Sequence, residues 1–396
     1  MRSPFLVSLI ATVLLLTVLA IAYALREDPY GIYGATGDPG EVSRVDLFWH
    51  TRLYKPYRLR AEDAEHLFIG SSRTGRLVPG DTWPGQQTSY NGALPGITLY
   101  EMLRVLQHAQ ANAPLQSVVL GLEYYMFRND KEQDMPGFAD ARLERPAPTA
   151  MQRLRHVAQL FVDRWATLYS RSAIKDSVLA ARGDRGSQRT FYEDGSWDTD
   201  AGEFAGRFVY HLLTNQKYRE FRFLSKQRDY ALLEDILGFA EEHGIEVTLL
   251  ISPSHTHILS AVELAGELQA YRDWQREVVE LATRSGVPVY GLETNREMML
   301  EPITPDPELF HDGVHYSRKV GRAISRCLPR AARGAGCEDP LVMTRLTPDS
   351  LRGYQATFTT LVENYATTNP ADHAMLLRSL ERAMASDVPV GSSEFR

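Results

Sequence analysis

Residues 66–74 read His-Leu-Phe-Ile-Gly-Ser-Ser-Arg-Thr, an apolar run that ends in a turn of small residues. Such a run is typical of a buried strand, and the turn presents Ser72 where the strand gives way to a helix. A serine there can act as a nucleophile if a base removes its proton and a carboxylate orients the base. Residues 312–315, Asp-Gly-Val-His, supply both groups near the carboxyl end of the chain.

The pattern around this turn predicts an α/β fold. Helical periodicity fills most of the intervals between the predicted strands, which are 66–69, 88–91, 117–123, 246–251 and 287–290. This alternation predicts a parallel sheet of about five strands with helices on both faces, a three-layer domain. Sites of such sheets lie at the carboxyl ends of the strands. The loops that follow the strands are therefore expected to build the site.

The order of these segments resembles the SGNH (GDSL-like) hydrolase superfamily, whose nucleophile follows the first strand and whose Asp-x-x-His precedes the last helix. The resemblance implies that Ser72 is the nucleophile and that Asp312 and His315 complete the catalytic triad, with Ser71 in place of the usual Asp. It also implies an oxyanion hole formed by the backbone N–H groups of Ser72 and Gly96, since Gly96 matches the glycine of the second family block.

Glu123 departs from the family pattern, which has an asparagine amide at this place in its third block. An ionised carboxylate cannot donate a hydrogen bond to an oxyanion. Glu123 therefore interrupts the oxyanion hole, is protonated in a desolvated pocket, or orients Arg73 or a substrate hydroxyl. Glu123, Arg73, Asn91 and His255, which follows the fourth predicted strand, are candidate substrate-binding residues.

Where the motifs of this chain depart from the general family pattern, they resemble the motifs of the membrane-anchored envelope branch of the superfamily more than those of secreted lipases. That branch includes the alginate O-acetyltransferase proteins and the D-alanine transfer protein of teichoic acid synthesis. The resemblance implies an O-acyltransferase that moves an acyl group, expected to be acetyl, onto a cell-envelope or exported polysaccharide. It implies no cofactor, and a multispanning membrane partner that passes the acyl group across the membrane.

Two other functions use the same residues or the same domain. An esterase of carbohydrate or lipid esters would release the acyl-serine to water instead of to a sugar. A catalytically inactive domain would serve as a polysaccharide-binding or assembly subunit, and the carboxylate of Glu123 is the reason to consider it. No metal is expected, because no Cys or His partners lie at zinc spacing near Cys327 and Cys337, and the His-x-His pair of His255 and His257 has no evident third ligand.

The N-terminus carries a predicted membrane anchor. Residues 5–25 are uncharged and mostly apolar, long enough to cross a hydrocarbon core of about 30 Å. Arg2 precedes this run and no positive excess follows it, which predicts a single span of the inner (cytoplasmic) membrane with the body in the periplasm or outside. A cleaved signal peptide is the alternative, since residues 22–24 form a small-x-small cleavage pattern.

The rest of the chain divides into a Pro- and Gly-rich linker at 27–63, a catalytic domain at 64–340 and a helical tail at 341–396. Residues 127–228 interrupt the predicted sheet for longer than a connection inside a domain requires, and they are predicted to form an inserted, mostly helical subdomain. The many aromatic residues of this insert either form its core or line a lid that stacks on sugar.

Charge and cysteine content bear on the molecules that the protein can bind and on its redox environment. The formal net charge of −7 offers no global basic surface, which argues against nucleic acid. Residues 151–190 hold eight Lys or Arg against three Asp, either as a solvated face or as a contact with anionic lipid or an acidic polymer. Cys327 and Cys337 either form a short-loop disulfide in an oxidising compartment or remain two buried thiols.

Overall fold

The computed structural model describes residues 4–33, 47–85, 88–127, 135–182, 189–199, 228–335, 337 and 341–385. The helices in these ranges are α1 Pro4–Glu27, α2 Thr51–Glu62, α3 Pro79–Thr82, α4 Leu99–Asn112, α5 Ala150–Tyr169, α6 Arg171–Arg182, α7 Ala231–Glu242, α8 Thr256–Leu264, α9 Leu268–Arg284, α10 Arg296–Met299, α11 Arg318–Ala332, α12 Pro348–Glu363, α13 Tyr365–Thr368 and α14 Pro370–Ala385. The strands are β1 His66–Ile69, β2 Ser89–Asn91, β3 Ser117–Leu122, β4 Arg189–Phe191, β5 Trp197–Thr199, β6 Glu246–Ile251, β7 Val289–Gly291 and β8 Thr344–Leu346.

Six of these strands form one sheet in the order β2-β1-β3-β6-β7-β8. The pairings from β2 to β7 are parallel, and β8 pairs with β7 in the antiparallel direction. The predicted mostly parallel α/β sheet is confirmed, but it has six strands rather than five. The missed strand is only three residues long and lies in a tail whose spacing predicted helices, so it is too short for a periodic signal.

Helices cover both faces of the sheet, because successive side chains of each central strand enter different cores. In β1, Leu67 and Ile69 belong to one core, which includes residues of α4, α7, α9 and α12. Phe68 points to the opposite core, which includes Ile324 and Leu328 of α11. All three β1 side chains are fully buried. Because the strand is buried on both faces, its side chains are apolar in succession and do not alternate with polar ones.

Two helices precede the sheet. Among the described residues, α1 is the one helix that is long and apolar enough to cross a membrane. The second helix, α2, occupies much of the segment that the sequence predicted as a linker. It buries Tyr54 and Leu59 and packs against α4, where His108 hydrogen-bonds through Nε2 to the carbonyl of Pro56 at 2.9 Å. The linker prediction for 27–63 is therefore wrong at 51–62, which belong to the folded body.

The predicted insert contains α5, α6 and a hairpin formed by β4 and β5. Helix α5 starts with a capping box between Thr149 and Gln152. In the hairpin, Phe191 and Trp197 are buried, as a core role for the aromatic residues predicts. Three other aromatic residues assigned to the insert, at positions 204, 208 and 210, lie outside the described residues.

The last predicted helix and the cysteine pair lie together. Helix α11 begins after Ser317, whose hydroxyl accepts a hydrogen bond from the backbone N–H of Val320. Cys327 of this helix forms a disulfide with Cys337, with their Cα atoms 5.0 Å apart. Of the two alternatives for the cysteines, the structure has the disulfide.

A buried carboxyl group joins two helices to the end of β7. Glu293 is fully buried and accepts hydrogen bonds from Tyr271 and Gln275 of α9 and from Tyr354 of α12. Burial raises the pKa of Glu293 to about 7, against an ordinary value of 4.5. Burial therefore disfavours the ionised carboxylate more than its three hydrogen-bond donors favour it.

We expect the stability of the protein to fall between pH 4.5 and 7 through this group. A carboxyl whose pKa is higher in the folded state stabilises the fold below its unfolded pKa, and this contribution is lost as the pH rises through about 7. Glu293→Gln keeps the side chain neutral, so its free energy of unfolding should decline less over this window, by roughly 1–3 kcal/mol. Denaturant titrations of both proteins at pH 5 and pH 8 measure the difference.

The matched control is Glu277→Gln, an exposed residue of the same helix α9. It should follow the wild-type pH dependence. An equal decline in wild type and Glu293→Gln would show that Glu293 does not titrate in this range.

Candidate active site

Ser72, His315 and Asp312 form a continuous hydrogen-bonded set. The Oγ atom of Ser72 lies 2.7 Å from Nε2 of His315, and Nδ1 of His315 lies 2.7 Å from Oδ2 of Asp312. A carboxylate can only accept, so the proton of the neutral imidazole is on Nδ1 and Nε2 accepts from the serine hydroxyl. This is the geometry of a nucleophile, a general base and the group that orients the base.

The second carboxylate oxygen of Asp312 shapes the loop that carries the base. Oδ1 accepts hydrogen bonds from the backbone N–H groups of Val314 and His315, both at 2.8 Å. One side chain thus closes the turn and holds the imidazole, which requires the short Asp-x-x-His spacing. A residue outside the loop also holds it in place, since the backbone N–H of His255 donates to the carbonyl of Gly313 at 3.1 Å.

The turn after β1 is packed too tightly for side chains at two glycines. A methyl group on Gly70 would lie 2.1 Å from Oγ1 of Thr74, and one on Gly121 of β3 would lie 2.0 Å from the same atom. Thr74 is fully buried and fills the space that the two glycines leave. This packing sets how the chain turns at Ser72.

Asn91 braces the same turn. Its Nδ2 donates to the carbonyls of Thr74 and Leu77, at 2.8 and 2.9 Å, and its Oδ1 accepts from the backbone N–H of Ala93. The side chain is fully buried. Its amide is therefore occupied by backbone groups, and the predicted contact with substrate gives way to a structural role.

Glu123 lies directly after β3 and contacts two residues of the nucleophile turn. Its Oε1 accepts from the hydroxyl of Ser71, and its Oε2 lies 3.2 Å from Nε of Arg73. Arg73 also donates through Nη1 to Oγ of Ser254, at 2.9 Å, beyond the end of β6. The carboxylate thus orients Arg73, which is one of the alternatives drawn from the sequence.

His255 follows β6 as predicted but does not face a substrate. It is fully buried, its Nε2 lies 2.7 Å from the carbonyl of Glu301, and its Nδ1 accepts from the backbone N–H of His257 at the start of α8. Burial lowers the pKa of His255 to about 4, so the ring stays neutral. Its ring caps α8, and its backbone N–H holds the loop that carries His315.

Gly96 lies in the loop after β2, at the edge of the sheet where β1 also ends. The backbone N–H of Leu94 donates to the carbonyl of Gly70 at 2.9 Å, which joins this loop to the nucleophile turn. Gly96 has a φ of +63°, a conformation that glycine adopts without a steric penalty. The proposed oxyanion donor is thus on the loop next to Ser72.

The sequence missed a polar network between the insert hairpin and the site. Arg76 donates through Nη1 to Asp198 of β5 at 2.9 Å, and Nε2 of His311 lies 3.4 Å from the same oxygen. In this hairpin Ser196 and Trp197 are fully buried, and Trp197 packs over Gly75. The available signal in the sequence was a tryptophan two residues after a glycine, since a large apolar side chain directly after a turn favours a packed hairpin over a solvated one.

No protein-family model and no curated protein sequence matches the chain. Within the described ranges, no group of three or more His, Cys, Asp or Glu side chains has a geometry that could hold a metal ion.

The packing at Thr74 gives a sharp test. Gly121→Ala should destabilise the protein by roughly 1–3 kcal/mol, because its methyl group would overlap Oγ1 of Thr74. The loss should shrink in a Thr74→Ala background, where the methyl group would meet only the Cβ atom, at 3.2 Å. Denaturant unfolding of the single and double variants measures this coupling. Gly238→Ala, in open space on α7, is the control, and strictly additive effects would contradict the packing argument.

Proposed function

We propose that this protein is a membrane-anchored, extracytoplasmic acyltransferase of SGNH type. It would move an acyl group, expected to be acetyl, onto a hydroxyl of a cell-envelope or exported polysaccharide through an acyl-serine. The observation that carries the proposal is the unbroken set of hydrogen bonds from Ser72 through His315 to Asp312. This set also joins the two sequence segments on which the family resemblance rests.

The first half of the reaction forms the acyl-enzyme. His315 takes the proton of Ser72 as Oγ attacks the acyl carbonyl, and Asp312 stabilises the imidazolium that results. The backbone N–H groups of Ser72 and Gly96 would bind the oxyanion, and the loss of one such donor typically costs about 100- to 1000-fold in rate. His315 then protonates the leaving group. In the second half, it takes a proton from the acceptor hydroxyl as that oxygen attacks the acyl carbonyl. It returns the proton to Oγ of Ser72 as the bond between the acyl group and the serine breaks.

The contacts of Glu123 weaken the alternative of an inactive domain. That alternative required the carboxylate to disturb the oxyanion hole. Here both carboxylate oxygens are engaged, one by Ser71 and one by Arg73. Arg73 is in turn held against Ser254, so the guanidinium is fixed beside the nucleophile. We propose that Arg73 positions the acyl donor or acceptor.

Transfer is favoured over hydrolysis by the anchor and by the implied partner. Helix α1 would keep the site close to the membrane, where a multispanning protein could deliver the acyl group. The hairpin of β4 and β5 is tied to the site through Asp198 and covers Gly75 with Trp197, which limits the approach of water from that side. An esterase of the same geometry would need no acceptor sugar.

The proposal predicts a covalent intermediate that a sugar discharges. The full chain in detergent, treated with an activated acetyl ester, should gain one acetyl group by intact-mass measurement, and Ser72→Ala should gain none. An oligosaccharide acceptor should then accelerate loss of the acetyl group well beyond the rate in water and yield an esterified sugar. Ser172→Ala, an exposed serine of α6, is the matched control and should behave as wild type.

Each contrary result points to a different alternative. An adduct on Ser72→Ala would remove Ser72 as the nucleophile. Rapid turnover of simple esters, with no effect of oligosaccharides from several envelope polymers, would favour the esterase. A protein that forms no adduct and hydrolyses no ester would be a binding or assembly subunit.

A second prediction concerns the ion pair between Glu123 and Arg73. Glu123→Gln and Arg73→Lys should each slow acylation, on the order of 100-fold, because either change releases the planar guanidinium from its position. Burst kinetics with the activated ester measure the acylation rate separately from deacylation. Glu277→Gln controls for the change of charge. Wild-type acylation in Glu123→Gln would instead favour a protonated Glu123 that donates to the oxyanion, since glutamine keeps a donor there.

A further inference from the structure

Helix α5 turns its polar side inward. Asp163 is buried and accepts two hydrogen bonds from Arg142, at 2.6 and 2.8 Å. His156 and Thr167 lie on the same face of the helix. His156 hydrogen-bonds through Nδ1 to the carbonyl of Ala141 at 2.9 Å, and Thr167 is buried. These contacts attach the helix to the body without using its large apolar side chains.

The opposite side of α5 is apolar and exposed. Its large side chains have between 44% and 63% of their surface accessible: Met151, Leu154, Val157, Phe161, Trp165 and Tyr169. At 3.6 residues per turn, this spacing places them in one stripe along the helix. A surface helix of a water-soluble domain has the reverse arrangement, and a contiguous exposed apolar stripe indicates a binding surface.

Positive charge borders the apolar stripe. The exposed basic residues of α5 and α6 are Arg153, Arg155, Arg164, Arg171, Lys175 and Arg182. The two acidic residues of these helices face inward instead: Asp163 pairs with Arg142, and Asp176 accepts a hydrogen bond from the hydroxyl of Tyr30. An apolar stripe between Arg side chains is the pattern of a helix that lies in the interface of an anionic membrane.

The stripe begins where α1 joins the body. The hydroxyl of Tyr23, in the last turns of α1, donates to the carbonyl of Ser177 in α6 at 3.3 Å. Tyr33, just after α1, donates to the carbonyl of Arg164 in α5. Trp49 lies nearby, because the ring of its neighbour His50 packs against Tyr30 with the ring centroids 4.3 Å apart. Of the surface of Trp49, 79% is exposed. Aromatic side chains at the end of a membrane span are typical of the membrane–water interface.

We infer that the apolar stripe of α5 lies in the outer leaflet of the membrane that α1 would cross, at the boundary between head groups and acyl chains. This inference rests on the anchorage that forms part of the proposed function. It adds a second contact, with anionic phospholipid, to the single helical anchor. Two contacts fix the orientation of the body, so the site at the sheet edge keeps a constant direction relative to the bilayer.

Brominated lipids test this contact in the full chain. In nanodiscs of phosphatidylcholine and phosphatidylglycerol, bromine near the head-group end of the acyl chains should quench the tryptophan emission. Trp165→Phe should remove most of the quenched emission, apart from the share of Trp49. Because Trp197 and Trp274 are fully buried in the protein, their emission should persist. Leu154→Asp combined with Phe161→Asp should abolish the quenching of Trp165 by placing charge in the stripe.

The control is Leu264→Asp, which adds charge at an exposed leucine at the end of α8 and should leave the quenching unchanged. Emission of Trp165 that resists quenching in the wild-type nanodisc would overturn the inference, whatever covers the stripe instead, including a second copy or a membrane protein. Extraction with alkaline carbonate tests the anchor separately. Protein that stays in the membrane but shows no quenching would support the anchor and reject the α5 contact. Protein that is extracted but shows quenching would reject the anchor and support the α5 contact.

Discussion

The packing of Thr74 against two glycine backbones is the constraint on which the site depends. Gly70 directly follows β1 and Gly121 lies within the adjacent β3, and neither can carry a side chain while Thr74 occupies the gap between them. The turn therefore folds back onto the sheet and leaves Ser72 at its outer side, within 2.7 Å of His315. Asn91 then donates hydrogen bonds to the carbonyls of Thr74 and Leu77, which lie in and directly after the turn.

The environment of His315, the proposed base, differs from that of three other histidines. Burial lowers the pKa of His108 and His255 to about 4 and that of His257 to about 3, so these rings stay neutral and serve as internal hydrogen-bonding groups. His315 is different, since 19% of its side chain is exposed and a carboxylate contacts its Nδ1. A base that becomes cationic during a reaction, as proposed for His315, is stabilised by such a carboxylate partner.

Local sequence was sufficient for the strands, the helix caps and the triad, and insufficient for contacts made across the fold. β1 and β6 have the predicted bounds, and Thr98 and Ser317 cap helices α4 and α11 through their side chains. The role of Asn91 depended on which carbonyls lie within its reach, which no spacing in the sequence reveals. β8 forms only because β7 offers it an edge.

The same limit applies to the orientation of α5. Apolar residues at helical spacing predict a face that packs on the core, and on α5 that face is exposed instead. What decides the orientation is Asp163, whose two hydrogen bonds to the buried Arg142 cannot be exchanged for solvent without leaving the guanidinium unpaired. One buried ion pair thus turns an amphipathic helix outward. A single anchor controls only the distance of a domain from the membrane, whereas an anchor and an outward-facing helix together also control the direction in which its site opens.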